Sequence, residues 1–151
     1  MKKKAFITGI AGQDGSYLSE YLLEKNYDVY GIIRRNSVTE HQRIRISHLG
    51  DKVNVDYGDL LDISSLQNKI RTIKPDEIYN LGAQSHVRIS FDIPNFTVMN
   101  NVIGTLNLFE TVKNFSKNSK IYQASSSEMF GRSVDEDGFQ RETTRFEPTS
   151  P

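Results

Sequence analysis

Thr8-Gly9-Ile10-Ala11-Gly12-Gln13-Asp14-Gly15 is the stretch whose reading decides the fold. Apolar Ala5-Phe6-Ile7 precedes it and reads as a strand, and Leu18, Tyr21, Leu22 and Lys25 follow it on one helical stripe. A glycine-rich turn between a strand and a helix can bring bare backbone against a pyrophosphate, which then rests on the helix N-terminus. Counted from Gly9, the glycines fall at the first, fourth and seventh places, whereas the dinucleotide fingerprint has them at the first, third and sixth. The spacing differs but the physical logic is shared, and the context is the one the motif requires.

Further strands read outward from this turn at Asp28–Ile33, Val53–Tyr57, Glu77–Leu81 and Lys120–Ser125. Between them lie a polar loop over 34–40, a short basic segment with Ile44, Ile46 and Leu49, and a helix over Ile63–Ile73 stopped by Lys74-Pro75. After Pro94, the residues Met99, Val102, Ile103, Leu106, Phe109 and Val112 repeat at helical spacing. Five strands alternating with helices predict an α/β fold, a Rossmann-like doubly wound parallel sheet. From Ser126 onward the chain is polar and irregular, and 132–151 holds little that would make another element.

The 151 residues suffice for one domain with a real core. Nineteen acidic and 19 basic side chains give no net charge, which argues against a nucleic-acid protein. With no Cys there is neither a disulfide framework nor a thiolate metal site, and His41, His48 and His86 lack metal-ligand spacing. No stretch approaches a membrane span, and Thr8, Gln13 and Asp14 interrupt the N-terminal apolar run too early for a signal peptide. The expectation is a soluble, cytoplasmic protein without metal, membrane or nucleic-acid partners.

Ligands of open α/β sheets bind outside the C-terminal ends of the strands. The second strand ends in Arg34-Arg35 and not in the acid usual for an NAD ribose. A guanidinium fork matches a 2′-phosphate, so NADP is favoured, although a solvated arginine pair would look the same in sequence. After the third strand, Asp59 could accept from an adenine amino group with Leu60 on the ring, or Asp59 could cap the next helix. Leu81 to His86 follows the fourth strand, with small residues for a close backbone approach and the Ser85 hydroxyl, or it is an ordinary polar loop. His86 reads as structural. Ser125-Ser126-Ser127-Glu128 ends the fifth strand, where Ser126 could hold a substrate oxygen and Glu128 move a proton, or the group could form a cap or turn.

Together these segments resemble the extended short-chain dehydrogenase/reductase superfamily and, within it, the GDP-mannose 4,6-dehydratase family. The resemblance rests on Thr8 to Leu18, Gly31 to Arg35, Tyr57 to Leu60, Ile78 to Val87 and Tyr122 to Gly131. It implies a lyase of deoxysugar biosynthesis with an internal NADP hydride cycle acting on GDP-mannose. C4 of the mannosyl ring is oxidised, water leaves across C5 and C6, and C6 is reduced, giving GDP-4-keto-6-deoxymannose.

By position, the resemblance implies that Gly9, Ile10, Ala11, Gly12, Gln13 and Asp14 hold the pyrophosphate. Arg34, Arg35, Asn36 and Ser37 hold the 2′-phosphate, and Asp59 and Leu60 the adenine. Leu81, Gly82, Ala83, Gln84 and Ser85 face the ribose–nicotinamide side, with Ser85 also toward substrate. Ser126 stands where the family has a Thr bonded to the sugar O4, and Glu128 where it has the C5 base that also protonates the leaving C6 hydroxyl. The arginine loop reaches a neighbouring subunit in the family, which implies a homo-oligomer, a tetramer or dimer.

Phe96 stands where the family often has a cofactor-contacting Tyr, and Arg145 and Thr149 alter a tail that usually reads Pro-Phe-x-Pro-Arg-Ser-Pro. The family's catalytic Tyr, and the Lys four residues later, would fall just after Pro151. The expectation is therefore an NADP-binding domain over 1–151, incomplete at its C-terminal end and inactive alone. Alternatives are another nucleotide-sugar dehydratase or epimerase, or a catalytically silent NADP-binding module.

Overall fold

The computed structural model describes residues 1–37 and 41–151, so Val38, Thr39 and Glu40 of the polar loop lie outside the described residues. Five parallel strands form one sheet: β1 (Lys4–Thr8), β2 (Asp28–Ile33), β3 (Val53–Tyr57), β4 (Glu77–Asn80) and β5 (Lys120–Gln123). Their order is β3-β2-β1-β4-β5. The chain winds outward from β1 to β3, then crosses to the other side of β1 for β4 and β5. The reversal opens a crevice between the ends of β1 and β4.

Alternation along β1 feeds two core layers. Ala5 and Ile7 join Ile10, Leu22, Val29, Ile46 and Leu49 beneath α1 (Gln13–Glu24) and the 3₁₀ turns of Ile44–Lys52. Phe6 joins Ile32, Ile78, Leu66 and Ile70 of α2 (Ile63–Ile73), and Leu108 and Val112 of α5 (Gly104–Phe115). These buried side chains lock the strands in a register that sets Thr8 beside both Ile32 and Asn80. The C-terminal strand ends therefore finish almost level.

The structure refines the expected elements. Strand β5 ends at Gln123, two residues early, because Ser125 adopts a left-handed backbone (φ 60°) that turns the chain out of the sheet. The polar stretch after β4 contains a short helix, α3 (Val87–Asp92), which the sequence reading did not include. The single helical stripe after Pro94 is broken into α4 (Pro94–Val98), a π turn at Met99–Ile103, and α5. The buried face runs through Thr97, Asn100 and Gly104 to Leu108 and Val112, while Met99, Val102, Leu106 and Phe109 lie on another face and are exposed.

Beyond Gln123 no regular element forms among the described residues, and the segment closes on itself. The Glu147 N–H donates to the Met129 carbonyl at 3.0 Å, and the Phe130 and Phe146 rings meet edge-on at 5.2 Å. No helix among the described residues is long and apolar enough to cross a membrane.

Candidate functional site

The glycine turn is built by close approach. Gly9 has φ +72°, and a Cβ there would lie 2.9 Å from the Gly82 nitrogen and 3.0 Å from its Cα. The loop after β1 thus presses directly on the loop after β4. A Cβ on Gly15 would run into the Gly9 carbonyl, so α1 packs onto the turn it follows. Gly12 is the N-cap of α1 and supplies no capping side chain. The Gly12 N–H donates to the Gly9 carbonyl at 2.9 Å, and no side-chain acceptor competes for the N–H groups of the first turn of α1.

A buried polar network joins the strand ends. Thr8 Oγ1 donates to Asn80 Oδ1 at 2.6 Å and accepts the Gly82 N–H at 3.0 Å. Asn80 Nδ2 donates to Gln123 Oε1 at 2.7 Å, tying β5 to β4. From the π turn, Asn101 Oδ1 accepts the Gln84 N–H at 2.8 Å, and Asn101 Nδ2 donates to the Gln84 carbonyl at 3.0 Å. The Gln84 side chain folds inward: Oε1 accepts the His86 N–H at 2.7 Å and Nε2 donates to Thr97 Oγ1 at 3.1 Å. The backbone from Gly82 to Gln84 is thereby held from both sides.

These elements enclose an open cleft of about 470 Å³ along the C-terminal edge of the sheet. Of the residues singled out in the sequence, Gly9, Ala11, Gly12, Arg34, Asn36, Asp59, Leu60, Gly82, Ala83, Gln84 and Ser85 line it. Ile10 does not: it is wholly inaccessible, packed in the core against Gly31, and it anchors the loop from behind. Leu60 reaches the cleft but is mostly used against Gly104 of α5. Gln13 and Asp14 are exposed in the first turn of α1, while Arg35, Ser37 and Leu81 lie outside the lining.

Asp59 is not the helix cap. Asp62 caps α2, its Oδ1 accepting the Ser64 and Ser65 N–H groups at 3.1 and 3.2 Å. Asp59 Oδ1 accepts the Leu61 N–H at 2.9 Å in a tight turn that directs Asp59 into the cleft. His86 caps α3, its Nδ1 accepting the Ile89 N–H at 3.4 Å, and it also lines the cleft. Ser126 and Glu128 are exposed on the turn after β5, apart from the cleft lining, with Ser126 Oγ accepting the Glu128 N–H at 3.1 Å. That bond leaves the Ser126 hydroxyl hydrogen available to a partner.

Six lining residues were given no site role of their own in the sequence: Thr8, Ile32, Ile33, Gln42, Gly58 and Asn100. An asparagine pair inside a helical stripe is the one signal that pointed at Asn100 and Asn101, because Asn is a poor helix-interior residue. At the opposite end of β4, Glu77 gathers Lys3, Tyr27 and Tyr79 around its carboxylate. There partial burial pushes the Glu77 carboxyl up, but hydrogen bonds from Tyr79, Tyr27 and Lys3 outweigh it and hold it below its ordinary value. Burial and the Glu77 charge push Tyr79 upward in turn.

The model of a family described as GDP-mannose 4,6 dehydratase matches residues 6–151. The chain is 48% identical over 160 residues to a GDP-mannose 4,6-dehydratase of Vibrio cholerae, covering 100% of this chain and 42% of that protein. It is 49% identical to a human GDP-mannose 4,6 dehydratase, covering 97% of this chain and 41% of the relative. The chain therefore spans about two fifths of the length of these relatives. Among solved structures, the UDP-Glc/GlcNAc 4-epimerase from Campylobacter jejuni superposes with a TM-score of 0.85 at 23% identity, over 98% of this chain and 44% of that one. At that identity the likeness shows the fold alone.

Proposed function

From the premise that this chain belongs to the GDP-mannose 4,6-dehydratase family, we propose that it forms the NADP-binding part of an enzyme converting GDP-mannose to GDP-4-keto-6-deoxymannose. The observation that carries this reading is the convergence in one cleft of the Gly9 turn, the Arg34 side chain, Asp59 and the Gly82–Ser85 backbone. The residues fit a phosphorylated dinucleotide. The uncapped α1 N-terminus suits the pyrophosphate, Arg34 the 2′-phosphate and Asp59 the adenine amino group.

When bound, such a cofactor supplies a hydride acceptor for C4 of the sugar and returns the same hydride to C6. This chain's residues handle position and protons. The Ser85 hydroxyl stands at the cleft wall where a sugar would meet the cofactor. The Ser126 hydroxyl donates toward the sugar O4. Glu128 removes the C5 proton and delivers a proton to the departing C6 oxygen, so that one carboxylate serves both halves of the water loss. The Gln84 backbone, clamped by Asn101, keeps the cleft wall in place during the cycle.

The test has two parts. NADPH and NADH are titrated into the protein, with preference for NADPH expected. A protein of the relatives' full length containing these residues is then given GDP-mannose in D₂O. One deuterium should enter at C5, C6 should carry the hydrogen that began on C4, and Glu128→Gln should lose the C5 label. A product without label at C5, or no preference for NADPH, would refute the reading.

A further inference from the structure

Two residues outside the glycine turn act on Arg34. Its carbonyl accepts from Gln42 Nε2 at 3.0 Å. Its guanidinium carbon sits 5.4 Å from the centre of the Phe96 ring, which projects from α4 on the far side of the switch point. All three residues line the cleft. The Arg34 guanidinium makes no hydrogen bond or ion pair among the described residues, so the ring is its contact. Arg35, next in the chain, lies outside the lining and meets no aromatic ring among the described residues.

A guanidinium stacks through its face and hydrogen-bonds through its edge. The Phe96 ring holds the guanidinium at 5.4 Å without drawing a hydrogen bond from it, so the fork of N–H donors stays open to a bidentate anion. A long side chain already held over a ring also loses less rotamer freedom when it captures that anion. A hydroxyl in place of the phosphate gains little from the arrangement, because it has neither the charge nor the paired oxygens that the fork matches.

We propose that Phe96 is a specificity-determining residue: its ring is the platform that holds Arg34 ready for the ribose 2′-phosphate, favouring the phosphorylated dinucleotide over the unphosphorylated one. The proposal rests on the NADP reading of the cleft and goes beyond it, because it assigns the discrimination to the pairing of Arg34 with a ring on a different element.

The test titrates NADPH and NADH, by quenching or enhancement of nicotinamide fluorescence, into the wild type, Phe96→Leu, Phe96→Tyr and Arg34→Ala. Leu keeps apolar bulk at a partly exposed site and removes only the π face. Phe96→Leu should weaken NADPH about two- to five-fold, the range of an exposed cation–π contact, and leave NADH unchanged. Phe96→Tyr should keep the wild-type ratio. Parallel weakening of both cofactors, no change in either, or tighter NADPH binding by Phe96→Leu would overturn the platform. If the wild type does not prefer NADPH, or Arg34→Ala retains full NADPH affinity, the NADP reading itself falls, and that shows before any Phe96 variant is compared.

Discussion

Gly9→Ala isolates what the glycine turn requires. Gly9 has φ +72°, where an alanine costs roughly 1–2 kcal/mol. The new Cβ would also sit 2.9 Å from the Gly82 nitrogen and 3.0 Å from its Cα, both backbone atoms that cannot swing aside. Overpacking of this kind costs about 1–3 kcal/mol. Gly138 is the internal control, with φ +82° and nothing within 4 Å of its would-be Cβ, so Gly138→Ala bears only the backbone cost. Gly9→Ala should then be less stable than Gly138→Ala by about 1–3 kcal/mol, which at this size is roughly 2–12 °C in Tm. Relief of the clash must push the Gly9 and Gly82 loops apart, and both line the cleft. NADPH affinity should fall at least about tenfold, a loss of 1.4 kcal/mol, in Gly9→Ala and stay unchanged in Gly138→Ala. Differential scanning calorimetry and fluorescence titration read the two effects separately. If the two variants melt together and Gly9→Ala binds NADPH normally, the contact of Gly9 with Gly82 is not what shapes this site.

Four further outcomes follow from the residues around the cleft, the cap of α2 and the far end of β4. Thr8→Val keeps the shape but orphans Asn80 Oδ1 and the Gly82 N–H, costing about 1–3 kcal/mol per group in urea unfolding, while Thr8→Ser restores most of it. Asp62→Ala should lose about 0.5–2 kcal/mol of stability with NADPH binding intact. Asp59→Ala should do the reverse, weakening NADPH with a smaller change in stability. The Glu77 carboxyl, held below its ordinary value near 4.5, contributes stability that is full above that value and is lost as pH falls through its lower folded value. Urea midpoints of the wild type should drop on acidification in that window, and those of Glu77→Gln should drop less.

Legibility in the sequence followed the range of the interactions involved. The strands and the glycine turn depend on local pattern: Ala5-Phe6-Ile7 before Gly9, and Val53, Val55 and Tyr57 alternating, are visible without knowing what they touch. The cap of α2 is equally local, yet the sequence reading offered Asp59 for it and the hydrogen bonds assign it to Asp62, which precedes the same helix. The π turn was not legible. The face that is buried carries Thr97, Asn100 and Gly104 before Leu108 and Val112, so the more apolar Met99, Val102, Leu106 and Phe109 look like a core stripe and prove to be exposed. The π turn also carries Asn101, which meets the Gln84 backbone 17 positions away in sequence. The contact of Arg34 with the Phe96 ring joins residues 62 positions apart, across the point where the winding reverses. A residue's chemical type can be read where it stands, whereas its partner depends on the topology. A selective site built from Arg34 therefore cannot be inferred from the arginine alone; it needs the crossover that brings α4 over the end of β2.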